Sequence, residues 1–152
     1  ATTRLPAVAP TTTADEFLDE GSVKAKGLAG SVYKFIRPHT IRGTILASVA
    51  GVAKALADCQ NFVFTADLVR RAFCGLLALL CANAWIVGIN QIYDKEVDKV
   101  NKPFLPIAAG EITEAQAWLM LFLVAATGIS VCARNFSPLI FGLYAFGVLV
   151  GT

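Results

Sequence analysis

Residues 72–93 read AFCGLLALLCANAWIVGINQIY, 22 consecutive positions without a formal charge. As a helix rising 1.5 Å per residue, such a run reaches about 33 Å, enough to cross about 30 Å of hydrocarbon. Its N-terminal side is a polar connection, residues 58–71, where either polar residue of Thr65-Ala66-Asp67 suits a helix cap. On its C-terminal side Asn90, Asp94 and Asp98 recur every fourth residue before Pro103 and Pro106. Neither proline can donate a backbone hydrogen bond, so the helix is expected to run past the bilayer surface and end there.

Further spans follow on either side. Residues 42–57 form an apolar run interrupted only by Lys54, one turn from its end, where the side chain can snorkel to the headgroups. Before it, SVYKFIRPHTIRG at 31–43 mixes Tyr33, Phe35, Lys34, Arg37 and Arg42 around Pro38, a pattern of interfacial approach to a bilayer. Thr113 with Gln116 is a capping-box pair ahead of 19 uncharged residues, 115–133. Ser137-Pro138 then opens a fourth span from Leu139, which stops within an apolar run and suggests a processed or partial polypeptide. The expected fold is therefore all-α, a polytopic transmembrane helix bundle with four spans in 31–152. Residues 1–30, rich in Ala, Thr, Pro and Gly, are expected to form a flexible N-terminal extension.

The composition agrees. Of 152 residues, 56% are hydrophobic and 16% charged, whereas soluble domains carry about 25% charged residues. A net charge of +2, with no Lys/Arg block interleaved with aromatics, gives no footprint for nucleic acid. Cys59, Cys74, Cys81 and Cys132 lack metal-ligand spacing and read as small hydrophobes. Nine Lys/Arg precede the first span or lie between the second and third, against three on the other side. The positive-inside bias thus places Asn90 to Glu111 on the cytoplasm-like face, together with Arg37 and Arg42. Small residues at 43, 47, 50, 51, 75, 78, 82 and 88 suit close helix packing in lipid.

Helical residues four apart lie one above another, so Asn90, Asp94 and Asp98 share a face roughly 12 Å long. Two carboxylates and an amide suit a hard cation such as Mg²⁺, which is bound through one or two carboxylates plus substrate phosphates. Lys99 and Lys102 follow, and ammonium groups beside carboxylates fit a diphosphate. A solvated interfacial helix whose charges offset one another accounts for the same spacing. Glu111 and Glu114 read as helix-start residues. Asn83, inside an apolar helix, is expected to make an interhelical hydrogen bond, and Trp85 and Tyr93 to serve packing or the membrane belt.

An Arg-Pro element before the first span, then NQxxDxxxD at 90–98, then N-K-P-x-x-P-x-x-x-G at 101–110, resembles the UbiA superfamily of intramembrane aromatic prenyltransferases. The wording FIRPHTIRGT and GINQIYDKEVDKVNKPFLPIAAGE is similar to the plastid homogentisate prenyltransferases, nearest the solanesyl-transferring type and then the phytyl-transferring type. The resemblance implies a nine-helix bundle, of which these residues are the N-terminal half. It implies Mg²⁺ held by Asn90, Asp94 and Asp98, with Asp94 and Asp98 catalytic. Lys102, Lys99, Arg37 and Arg42 would assist the diphosphate of a polyprenyl donor. Homogentisate would be the acceptor, decarboxylated as it is prenylated, in a multi-pass protein of the plastid envelope. Family members carry a second Asp-rich motif that 1–152 lacks, so the missing C-terminal helices are expected in cis and the fragment is expected to be inactive alone. The alternative is a non-catalytic four-helix scaffold or lipid-binding subunit.

Overall fold

The computed structural model describes residues 27–59 and 65–151. Six helices follow in order: α1 Leu28–Phe35, α2 Pro38–Asp58, α3 Ala66–Tyr93, α4 Lys95–Asn101, α5 Glu114–Asn135 and α6 Pro138–Val150. No strand occurs among the described residues. Helices α2, α3 and α5 are long and apolar enough to cross a membrane. The fourth apolar helix has 13 residues, about 20 Å at the helical rise, and so falls short of a full crossing within the described residues.

Local chemistry sets the helix starts. Thr65 Oγ1 accepts from the Leu68 amide at the head of α3. The capping box ahead of α5 is complete: Gln116 N–H donates to Thr113 Oγ1, and Thr113 N–H donates to Gln116 Oε1. Ser137 occupies the cap position of α6, with Pro138 in the first turn, but its hydroxyl makes no capping bond. The expected extension at 1–30 is shortened at its C-terminal end, because Leu28, Ala29 and Gly30 already belong to α1; residues 1–26 lie outside the described residues.

Helix α5 packs along α3, with α2 and α6 more lightly attached. The close crossing is made by glycines: a Cβ at Gly88 would meet Leu121 and Phe35, and one at Gly128 would meet Cys81 and Tyr144. Gly43 and Gly51 face open space, so the small residues of α2 do not serve packing among the described elements. α2 buries no residue at all, and neither does α6. Cys81 and Cys132 are buried, Cys74 is partly exposed and Cys59 exposed, all as free thiols.

The best-packed region is at one end of the bundle. Phe35 of α1, Ile89 of α3, Ala117 and Leu121 of α5, and Ile107 and Ile112 of the α4–α5 connection form one buried cluster. Trp85, Trp118, Ile92 and Met120 pack against it, and Trp118 stacks on Phe122 at 5.7 Å. That cluster sits directly under the polar stretch that follows α3.

Candidate functional site

The expected continuous helix through Asp98 is broken once. α3 ends at Tyr93, Asp94 takes φ −87°, ψ 10°, and α4 resumes at Lys95. The four-residue ladder nevertheless survives the break. Asp94 N–H donates to Asn90 O (2.8 Å), Asp98 N–H to Asp94 O (2.7 Å) and Lys102 N–H to Asp98 O (2.7 Å). Asn90, Asp94, Asp98 and Lys102 therefore succeed one another along one line of backbone bonds.

Their surroundings differ. Asn90 and Asp94 are exposed, whereas Asp98 is only 5% exposed. Lys102 Nζ donates to Asp98 Oδ1 at 3.2 Å, an (i, i+4) pair with the acid on the N-terminal side, the favourable order. A solvated face does not bury one of its acids, so the fully solvated reading of this helix fails at Asp98.

The other expected basic residues are placed less closely. Lys99 donates to Glu96 at 2.6 Å, and that bond holds the Glu96 carboxyl below its ordinary range. Arg42 is exposed on α2. Arg37 precedes Pro38 in a left-handed conformation, φ 54°, ψ 84°. A residue before proline favours extended backbone, and a non-glycine residue held outside its favoured regions costs about 1–3 kcal/mol, so the elbow persists because its neighbours fix it.

Sequence reasoning missed the residues that hold these parts together. Gln91, 3% exposed, donates from Nε2 to the Phe35 carbonyl at 2.7 Å and so satisfies an orphan acceptor at the C-terminus of α1. Glu111 does not start a helix. It accepts from Ser31 Oγ (2.9 Å) and Lys34 Nζ (3.3 Å), fastening α1 to the connection after α4. Glu114 does open α5, and it accepts from Lys95 at 2.6 Å, which pushes that ammonium above its ordinary range. Gln91 carries a signal in retrospect: it is a polar group at the edge of an apolar helix, where a partner is obligatory.

The connection itself explains the N-K-P-x-x-P-x-x-x-G spacing. Leu105, Pro106 and Ile107 are buried, and the Pro106 carbonyl accepts from the amides of Glu111 (2.8 Å) and Ile112 (3.1 Å). The chain reverses at Gly110, φ +73°, a conformation that costs an L side chain about 1–2 kcal/mol. Gly110→Val is accordingly expected to loosen the Glu111 clasp and lower the melting midpoint, read by thermal denaturation in detergent. An unchanged midpoint would show that the turn tolerates a side chain.

One concavity adjoins the site and a second lies further along the bundle. A polar groove of about 380 Å³ is lined by Lys95, Lys99, residues 107–110 and Glu114. An apolar cavity of about 620 Å³ lies between α2 and α3, bounded by Ala47, Gly51, Leu76, Leu79 and Phe136. Its lining on α3 runs from Leu68 to Leu79, and Leu79 is already 11 residues before Asn90, about 16 Å along the helix, so this cavity belongs to the half of α3 away from the polar end.

Among the described residues no three His, Cys, Asp or Glu side chains cluster as a metal site. The donor set is nonetheless chemically suited to Mg²⁺: two carboxylates and one amide, all hard oxygen ligands, leave most of the coordination sphere to water and phosphate. Asp98 is buried with one ammonium partner, and Asp94 and Asn90 stand open one and two turns before it.

The described residues thus form a bundle of membrane-length helices with acid, amide and amine groups at the polar end of one span. The sequence profile of the UbiA prenyltransferase family matches residues 44–152, and the chain belongs to that family. It is 53% identical over 125 residues to a protein of Oryza sativa subsp. japonica called probable homogentisate phytyltransferase 2, chloroplastic, covering 82% of this chain and 33% of that one. It is 51% identical over 111 residues to homogentisate solanesyltransferase, chloroplastic, of Arabidopsis thaliana, covering 73% of this chain and 28% of that one. Homogentisate geranylgeranyltransferase of Triticum aestivum is 37% identical over 113 residues, 73% of this chain and 27% of that one. The chain thus spans about a third of the length of the curated relatives it matches. No solved structure matches it.

Proposed function

We propose that this chain supplies the donor-diphosphate end of an aromatic prenyltransferase that moves a polyprenyl group from its diphosphate to homogentisate, with decarboxylation, in the plastid envelope. The observation that carries the reading is the buried Asp98, paired with the partly exposed Lys102 at the foot of the Asn90, Asp94, Asp98 ladder. It places fixed negative oxygens beside a fixed cation at the mouth of an apolar bundle. The names of the relatives supply the acceptor, homogentisate, and the compartment.

In this reading Asn90, Asp94 and Asp98 offer oxygens toward Mg²⁺, and Lys102 donates to the diphosphate. Lys99, released from its exposed bond to Glu96, and Arg37 and Arg42 add positive charge from the α4 and α2 sides. Magnesium when bound would neutralise the leaving diphosphate as the allylic C–O bond breaks. The apolar faces of α2 and α3 suit the isoprenoid tail: laid along α3 away from the ladder, a long polyprenyl chain reaches toward the cavity between these helices, whose nearest α3 lining residue, Leu79, is about 16 Å from Asn90. The electron-rich ring carbon of the acceptor then forms the new C–C bond and loses the proton it carried, while the side-chain carboxylate leaves as CO2 and a proton takes its place, with diphosphate as the leaving group. Further helices and a second Asp-rich motif, supplied in cis, complete the site.

We propose solanesyl diphosphate as the donor on the wording of residues 35–44 and 88–111, with phytyl diphosphate its competitor, since relatives named for each stand at nearly equal identity. The full-length protein in membranes, given homogentisate and each diphosphate with and without a chelator, tests this. The expected result is a decarboxylated prenyl-quinol whose formation stops on chelation and resumes with Mg²⁺. Turnover indifferent to the chelator overturns the metal assignment. A full-length protein that forms no aromatic product with either donor overturns the enzyme reading in favour of a membrane scaffold.

A further inference from the structure

We propose that Gln91 and Asn83 are positioning residues: two side-chain amides of α3 clamp the left-handed Arg37–Pro38 elbow and thereby fix the Arg37 guanidinium relative to the Asn90, Asp94, Asp98 ladder. The inference rests on the role for Arg37 given above. Gln91 holds the elbow from one side, donating to the Phe35 carbonyl at 2.7 Å. Asn83, two turns earlier on the same helix, holds it from the other. Its Nδ2 donates to Thr40 Oγ1 at 3.0 Å, and that hydroxyl donates to the Arg37 carbonyl at 2.8 Å. The Arg37 amide is itself spent on the Lys34 carbonyl at 3.1 Å. The strained residue's own carbonyl, through Thr40, and the Phe35 carbonyl two residues before it are therefore tied to the helix that carries the acidic ladder, and Gln91 is the immediate neighbour of Asn90.

The arrangement does more than stabilise α1. A clamp made for stability alone would satisfy its own polar atoms, because a buried unpaired group is costly. Here Gln91 Oε1 and Arg37 Nε are both buried without a hydrogen-bond partner among the described residues, one an acceptor and one a donor. Each of these atoms keeps a bonding capacity that a ligand or an ordered water can take up. Phe35, 3% exposed in the cluster beneath the site, keeps the carbonyl that Gln91 grips from drifting.

The test is a double-mutant cycle in the full-length enzyme, reading KM for the prenyl diphosphate, kcat and the melting midpoint. Gln91→Met keeps the volume and loses the donor; Thr40→Val breaks the second clamp from outside α3, so a folded variant is available should Gln91→Met misfold. Arg37→Ala is the reference. Each clamp variant is expected to raise KM for the diphosphate about tenfold while kcat changes less than twofold, and to add nothing further in the Arg37→Ala background. A clamp variant that lowers only the midpoint, or whose effect adds fully to that of Arg37→Ala, overturns the positioning role. If Arg37→Ala itself leaves KM unchanged, it is the diphosphate role of Arg37 that fails, a distinct result.

Discussion

Asp98→Asn in the full-length protein is expected to reduce prenyl transfer by about 10³-fold while leaving the bundle folded. The substitution keeps the volume of a side chain that is 5% exposed, and the amide oxygen can still accept from Lys102 Nζ, now 3.2 Å from the carboxylate. What disappears is the negative charge. A buried carboxylate is costly to maintain, and only a partner that needs the charge offsets that cost. If Asp98 merely balances Lys102, the amide removes the buried charge while the partly exposed Lys102 ammonium stays solvated, and the protein melts at the same temperature or higher, with turnover nearly intact. If Asp98 anchors the cation and diphosphate, turnover collapses at an unchanged midpoint. Measuring both quantities on one preparation separates the two, and activity within threefold of the parent would remove the ladder from the chemistry. Lys102→Gln should behave differently. It leaves Asp98 buried and unpaired, so the midpoint falls together with diphosphate affinity.

The parts of this site that were legible in the sequence are those governed by neighbours a few residues away. The Thr113–Gln116 capping box, the Thr65 cap and the prolines that end α4 follow from local backbone bonding, and the structure has each of them. The spacing of Asn90, Asp94 and Asp98 likewise translates directly into the observed ladder. The break at Asp94 did not show, because φ −87°, ψ 10° is open to any residue and leaves no composition mark. Nor did the burial of Asp98, because the charges around it, Lys95, Glu96 and Lys99, read as a solvated face. Glu111 and Glu114 stand three apart and looked equivalent as helix-start acids; only the distant Ser31 and Lys34 distinguish Glu111. The interhelical bond expected of Asn83 is present, and its partner Thr40 lies 43 residues away. Long-range pairing of that sort is invisible to periodicity.

The scaffold beneath the site yields the second large effect. Gly128→Val is expected to abolish recovery of folded protein, and Gly128→Ala to lower the melting midpoint clearly, whereas Gly43→Ala should leave it unchanged or raise it. A Cβ at Gly128 would stand 2.8 Å from Cys81 Cβ and against the Tyr144 hydroxyl. Real Cβ atoms do not approach a neighbouring Cβ so closely, and Cys81 Cβ is fixed to the α3 backbone, so α3 and α5 must separate. Overpacking of this kind costs about 1–3 kcal/mol for one added methyl and more for a branched side chain. The Tyr144 hydroxyl cannot simply withdraw, since it donates to the Ala78 carbonyl at 3.0 Å and ties α6 to α3. Three helices thus meet where only hydrogen fits. Gly43 has nothing within 4 Å, and there alanine supplies helix propensity without a collision. Tyr144→Phe in the Gly128→Ala background discriminates the causes. Removing the hydroxyl clears one collision and leaves the one with Cys81, so partial recovery of the midpoint is expected; complete recovery would assign the whole effect to Tyr144 and free the α3–α5 crossing from any dependence on glycine.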